Sequence, residues 1–159
     1  MAGPLGAAMA RRWARAGAGG DVLVPVPVHA ERARRRGYDQ AELLARAAAA
    51  DLGLPYAPIL ERARATIAQF DLDRAMRATN VRGAFRLKPR PGASGALAGH
   101  LQARDALAHG DADLLPLAGR WVVLVDDVVT TGATLTACAV PLLAAGALGV
   151  SAVTVARER

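Results

Sequence analysis

Residues 122–134 read VVLVDDVVTTGAT, and few folds tolerate that order of side chains. From Trp121 to Val125 the run is short, apolar and largely β-branched. It is too continuous for a strand with one wet face, so it predicts a parallel strand covered on both sides. Two carboxylates, Asp126 and Asp127, follow directly. Carboxylates are rarely buried without partners, so they are expected where the strand ends, at the carboxyl edge on which open α/β sheets bind their ligands. Val128 and Val129 then lead into Thr130, Thr131, Gly132, Ala133 and Thr134, at the start of an expected helix. Hydroxyls, backbone N–H groups and a glycine turn at a helix N-terminus make a cradle suited to phosphate.

Carboxylates beside an anion cradle conflict electrostatically unless the ligand carries both a phosphate and neutral vicinal hydroxyls. The carboxylates then accept hydrogen bonds from the diol while the loop takes the phosphate. The plainer alternative, a strand followed by a polar turn, leaves two adjacent Asp residues in need of water or partners. All thirteen residues resemble the phosphoribosyl pyrophosphate (PRPP) loop of the type I phosphoribosyltransferases: apolar run, acidic pair, two apolar residues, then Thr-Thr-Gly-x-Thr.

With 159 residues and 53% apolar content, the chain is long enough for one domain with its own core. No apolar run reaches the length of a membrane span, and the first residues lack the apolar segment of a secretory signal, so the expected location is cytoplasmic. Cys138, the single cysteine, excludes an intramolecular disulfide and a cysteine-built zinc site, and reads as a buried, inert thiol in a helix. The net charge of +6 is nearly all arginine, Lys88 being the one lysine. Arginine suits diphosphates and nucleic acid alike, so charge by itself selects neither.

The rest of the chain alternates strand and helix signals. Leu5, Ala8, Met9, Trp13 and Ala16 recur at helical spacing and stop before a glycine-rich stretch. Val22 to Val24 predicts a short buried strand, ended by Pro25 and Pro27, neither of which can donate a ladder hydrogen bond. Arg32, Arg34, Arg35, Arg36 and Gly37 follow, ahead of a helix with Asp39 as N-cap, Glu42 as its capping-box partner, Ala41, Leu44, Ala48 and Leu52 as apolar face, and Gly53 as terminator. At a strand's carboxyl end and a helix N-terminus the arginines read as an anion site, or more plainly as a solvated basic turn. Residues 54–60 suggest a further strand, and 84–87 another. Between them lies a polar segment in which Arg62, Arg64, Gln69, Arg77 and Asn80 fit a lid closing over a phosphorylated ligand, or a solvated helix with no such part. Residues 133–145 predict a helix buried through Leu135, Ala139, Leu142 and Leu143, with Pro141 kinking or shortening it, and residues 150–155 a last buried strand. The fold class expected is α/β: a doubly wound, mostly parallel sheet flanked by helices.

Several separated stretches narrow the resemblance. VPVPVHAERARRRGYDQAELLARA, the pattern T-x-x-Q-x-x-L-x-x-x-x-R-x-x-N-V-R-G-A-F, the loop at 122–134 and the closing VTVARER together resemble the ComF family of phosphoribosyltransferase-like proteins. Members of that family usually begin with a cysteine-rich, zinc-ribbon-like module; this sequence has none, so a single phosphoribosyltransferase-like domain is expected over residues 1–159. The resemblance implies a phosphoribosyltransferase of nucleotide salvage or DNA uptake, binding PRPP with Mg2+ and an unidentified nitrogenous base. Asp126 and Asp127 would hold the ribose diol, and residues 130–134 the 5′-phosphate. The turn carrying Arg35, Arg36 and Gly37 and the segment carrying Arg62, Arg64, Gln69, Arg77 and Asn80 would bind diphosphate and cover the site. The competing reading is a non-catalytic module that senses PRPP or a nucleotide for a protein or nucleic-acid partner. Direct nucleic-acid binding is allowed by the charge, but no helix-turn-helix or aromatic-basic ribbon accompanies it. A homodimer is compatible with the sequence, and a membrane role is not.

Overall fold

A computed structural model describes residues 2–28, 37–63, 83–89 and 117–158. Its elements, in chain order, are α1 (Ala2–Arg15), β1 (Val22–Pro25), α2 (Gln40–Leu52), β2 (Leu60–Arg62), β3 (Phe85–Leu87), β4 (Trp121–Val129), α3 (Ala133–Ala144) and β5 (Gly149–Arg157). Among the described residues β1, β4 and β5 form a parallel sheet with β4 in the middle, and β2 and β3 form an antiparallel ribbon. The segment after α2 adds one parallel bridge to the free side of β1, Leu23 to Tyr56.

Alternation along β1 and β4 divides the core. Val22, Val24, Val122 and Leu124 face a layer with Cys138 and Leu142 of α3 and with Ala57, Leu60 and Phe85. Leu23, Val123 and Val125 face α1 and α2 through Met9, Trp13, Leu44 and Ala48. Both faces are covered, as the uninterrupted apolar runs required. Asp21 ties the entry of the sheet: its N–H donates to the Trp121 carbonyl at 2.8 Å, and its carboxylate accepts from the Trp121 N–H at 2.6 Å.

Five local expectations are corrected. The buried stripe of α1 is Gly6, Met9, Ala10 and Trp13, while Leu5 and Ala8 face outward. The Asp39 cap forms, its carboxylate accepting from the Glu42 N–H at 3.1 Å, but the Glu42 side chain pairs with Arg46 one turn on at 2.8 Å instead of returning to the cap. An arginine four residues ahead on the exposed helix face is a charge-matched partner for it. Residues 54–60 do not form one strand: Tyr56 bridges to Leu23 and Leu60 opens β2, and Pro55 and Pro58 carry no N–H for a continuous ladder. In α3 the buried residues are Cys138 and Leu142, while Leu143 is 49% exposed; the helix runs through Pro141 and stops one residue early, at Ala144. Among the described residues β5 is a half-exposed edge rather than a buried strand, with β4 its ladder partner. Cys138 is buried, as expected.

The packing of α1 on α2 depends on Gly6. A Cβ there would lie 2.4 Å from the Ala47 Cβ and 3.1 Å from the Ala48 nitrogen, whereas one at Gly3 would meet nothing within 4 Å. Gly6→Ala should therefore cost about 1–3 kcal/mol by chemical denaturation, through overpacking between the helices. Gly3→Ala on the same helix should be neutral or slightly stabilising. Equal effects at the two positions would contradict the close approach.

Candidate functional site

β1 ends opposite Val125; the last hydrogen bond between the two strands is Val26 N–H to the Val125 carbonyl at 2.9 Å. β4 continues on its other edge, pairing Asp126 with Thr154, Val128 with Ala156 and Val129 with Arg157. The sequence expectation that the carboxylates follow the strand is therefore corrected: Asp126 and Asp127 lie inside β4, on the part that has lost β1. The strand continues because β5 runs alongside as far as Arg157, and the Glu158 N–H closes the ladder on the Val129 carbonyl at 2.9 Å.

The two carboxylates differ. Asp126 Oδ1 accepts from the Asp127 N–H at 2.9 Å, and Asp127 Oδ1 accepts from the Val128 N–H at 2.8 Å. The Asp126 carboxyl is pushed up to about 7, chiefly by burial and further by the charges of Asp127 and Asp39, although the Asp127 N–H favours its ionised form. Behind it, burial and the nearby Asp126 charge push the Cys138 thiol up, leaving it a poor nucleophile. The proximity of Asp39 to Asp126 was not legible in the sequence, where Asp39 reads only as a helix cap; the two meet because β1 and β4 are neighbours and α2 starts beyond the end of β1.

The turn after β4 brings the helix N-terminus round. Gly132 is the N-cap with φ 80, a left-handed conformation that favours glycine, and no side chain caps the helix through it. Thr131 Oγ1 accepts from the Ala133 N–H at 3.3 Å, while Thr136 donates to the Gly132 carbonyl from both its N–H, at 2.9 Å, and its hydroxyl, at 3.1 Å. A recess of about 40 Å³ lies here, with Asp126, Val128, Val129, Thr130, Gly132, Ala133, Thr134 and Leu135 as walls. Asp127 and Thr131 are not among those walls. The arrangement offers a partly buried carboxyl at one end and helix N–H donors at the other, able to receive a small ligand with hydroxyls and an anionic group.

A second, larger cleft of about 270 Å³ lies beyond the end of β1, against the start of α2 and the β2–β3 ribbon. Arg62 lines it, together with Asp39 and Lys88, and the Arg62 guanidinium stands 5.3 Å from the centre of the Phe85 ring. Gly37, with φ 76, forms the exposed turn leading to the Asp39 cap. Of the residues from Asp126 to Thr134, the recess thus gathers all but Asp127 and Thr131, and Gly37 and Arg62 lie on the elements that border the end of β1. Arg35, Arg36, Arg64, Gln69, Arg77 and Asn80 lie outside the described residues.

No protein-family model matches the chain. It is 34% identical over 128 residues to the DNA utilization protein YhgH of Salmonella typhi, covering 80% of this chain and 45% of that protein. It is 34% identical over 131 residues to the DNA utilization protein YhgH of Escherichia coli strain K12, covering 82% and 46% respectively. The chain thus spans somewhat under half the length of these curated relatives. In structure it is similar to the glutamine PRPP amidotransferase of B. subtilis complexed with ADP and GMP, with a TM-score of 0.52 and 21% identity, covering 95% of this chain and 25% of that one. The fold is that of a type I phosphoribosyltransferase: α/β, with a mostly parallel sheet flanked by helices. No helix of the described residues is long and apolar enough to cross a membrane.

The raised Asp126 carboxyl makes stability depend on pH. Below its ordinary value of 3.8 the group is protonated folded or unfolded; between there and about 7 the folded protein keeps a proton that the unfolded chain loses. Stability from this group is therefore lost as pH rises toward 7. Asp126→Asn should remove that dependence, gaining about 2–4 kcal/mol on wild type between pH 4 and pH 8. Parallel stability profiles for the two proteins would contradict the burial of this carboxyl.

Proposed function

We propose that the chain binds PRPP, with the ribose diol on Asp126 and Asp127 and the 5′-phosphate on residues 130–134, and transfers the phosphoribosyl group to a nitrogenous base. The observation that carries the reading is the juxtaposition of an acidic pair on β4, where β1 has ended, with the glycine-capped N-terminus of α3. Ionised carboxylates accept two hydrogen bonds from a diol better than neutral groups do, and helix N–H groups favour a phosphate dianion. The likeness in fold to an amidotransferase named for PRPP, and the sequence relation to proteins named for DNA utilization, are consistent with a phosphoribosyltransferase-like protein of nucleotide or DNA metabolism. Both substrates of such a reaction are cytoplasmic metabolites, which fits a cytoplasmic location.

In this reading a nitrogen lone pair of the base forms the bond to the anomeric carbon as the bond from that carbon to the diphosphate oxygen breaks; the diphosphate leaves with the electron pair and the nitrogen releases its proton. The departing group accumulates negative charge while the ribosyl carbon becomes cationic. Arg62 and Gly37, with Arg35, Arg36, Arg64, Gln69, Arg77 and Asn80 as the sequence suggests, would receive the diphosphate. Asp126 and Asp127 would hold the ribose and favour the positive charge. Magnesium in this reading arrives on the diphosphate. An ion shared mainly with substrate phosphates needs few donors from the protein. When bound, it would neutralise charge on the leaving group.

Calorimetric titration with magnesium and PRPP should give micromolar-range binding, weakened about tenfold or more by Asp127→Asn, which removes a charge-assisted acceptor. Release of diphosphate across a panel of purines and pyrimidines then separates transfer from sensing. Release with one base supports the transferase; binding with no release under any base supports a sensing module; no binding by wild type overturns the phosphoribosyl reading altogether.

A further inference from the structure

Three carboxylates reach the end of β1 from two directions. Pro25, the last residue of β1, pairs with Val125, and the next residue of β4 is Asp126, followed by Asp127. Pro25 also lines the larger cleft, together with Asp39 at the start of α2. α2 packs against both β1 and β4, so its N-cap stands beside the part of β4 that carries the two acids. Asp39 is held there by the helix itself: its carboxylate accepts from the Glu42 N–H at 3.1 Å. Asp126 lines the smaller recess. One acid is thus in the wall of the cleft and the other in the wall of the recess, where the two borders meet.

Among the described residues the groups facing Asp126 are mostly acidic. Asp127 adjoins it on β4, Asp39 acts on it from α2, and the Cys138 thiol lies behind it on α3, with the Arg62 charge reaching that thiol from β2. β1 has no ionisable side chain; β5 sets Thr154 opposite Asp126, and its one charged residue, Arg157, lies beside Val129. Glu42 in the first turn of α2 is paired with Arg46 at 2.8 Å. Neighbouring carboxylates in a partly dry site do not all ionise, and burial makes Asp126 the one that keeps a proton. We propose that Asp39 is a positioning residue of the ribose site: its charge keeps the proton on Asp126 while the site is empty, and a bound ribose expels that proton by giving the carboxylate a hydroxyl donor. This rests on the phosphoribosyl reading above. The proton passes to water, and no covalent bond to the ligand forms. Binding and proton release are then one linked equilibrium: acid weakens binding, and the ligand lowers the proton affinity of Asp126 by the same factor. Asp39 sets that linkage through Asp126 rather than through a contact of its own.

The carbon-13 resonance of the Asp126 carboxyl, followed against pH with and without ribose 5-phosphate, reads the proton directly. In wild type the titration midpoint should lie at about 7 without ligand. Saturating ligand should lower it by about one pH unit or more, the order of a tenfold linkage. Asparagine and serine cap a helix as well as aspartate does, so Asp39→Asn and Asp39→Ser should keep the wild-type melting temperature. In both variants the ligand-free midpoint should already be lower. Both should therefore bind ribose 5-phosphate about three- to tenfold more tightly than wild type at about pH 6, and equally at about pH 8.5. The phosphate of the ligand titrates alike with all three proteins, so it cancels in the comparison. Variants that bind and titrate as wild type does overturn the proposal, since Asp39 is then a helix cap and nothing more. A wild-type midpoint that bound ligand does not move overturns it too, while the ribose reading stands. Absence of binding at any pH overturns both.

Discussion

Among the described residues β4 has a hydrogen-bonding partner on each edge through Val125, and on one edge beyond it. The site depends on that asymmetry. While β1 runs alongside, β4 is sealed by strands at its edges and by helices on its faces, and only aliphatic side chains are tolerated. Once β1 has ended, the same strand continues on β5, and the two residues placed there are carboxylic acids. A strand held rigidly by its buried half thereby presents polar groups at a fixed position without a loop to support them. The glycine that caps α3 returns the chain at once, so helix N–H groups and carboxylates come from one short, continuous stretch.

The two acids do not share one environment. Asp126 lies against the core, near Cys138 and within reach of the Asp39 charge, and its proton is held unusually tightly. The Asp127 carboxylate accepts the next backbone N–H along the strand. A diol bridging the pair would therefore meet, at Asp126, a group that must first give up a proton at acidic pH. Stability is sacrificed at Asp126 in a way that an asparagine would avoid, and such a cost is characteristic of positions retained for ligand binding.

Much of this was legible in the sequence because strong local signals and the global fold agreed. The apolar run 122–125, the Asp39 cap and the Gly53 terminator each impose one local structure, and each appears in the fold. The misreadings share a different cause. Where β4 ends is decided by β5, a partner distant in sequence, and not by the aspartates themselves. The stripe of α1 that turns inward is chosen by the close approach of α2 at Gly6, which hydrophobicity alone ranks below Leu5. β5 reads as buried because it is apolar, yet among the described residues it is an edge, and the same absence of charge gives α3 its exposed stripe. Composition reports that a surface is apolar; only the fold reports whether the chain itself covers it.

The central claim is that the end of β4 and the start of α3 together hold a phosphorylated ribose. Backbone amide resonances followed while ribose 5-phosphate is added test it most directly, without magnesium, diphosphate or any base. The account predicts that the largest shifts fall on Asp127 and on Thr130 through Thr134, with smaller ones at Asp126 and none along α1. Shifts confined to other parts of the chain, or no shifts at saturating ligand, would contradict it.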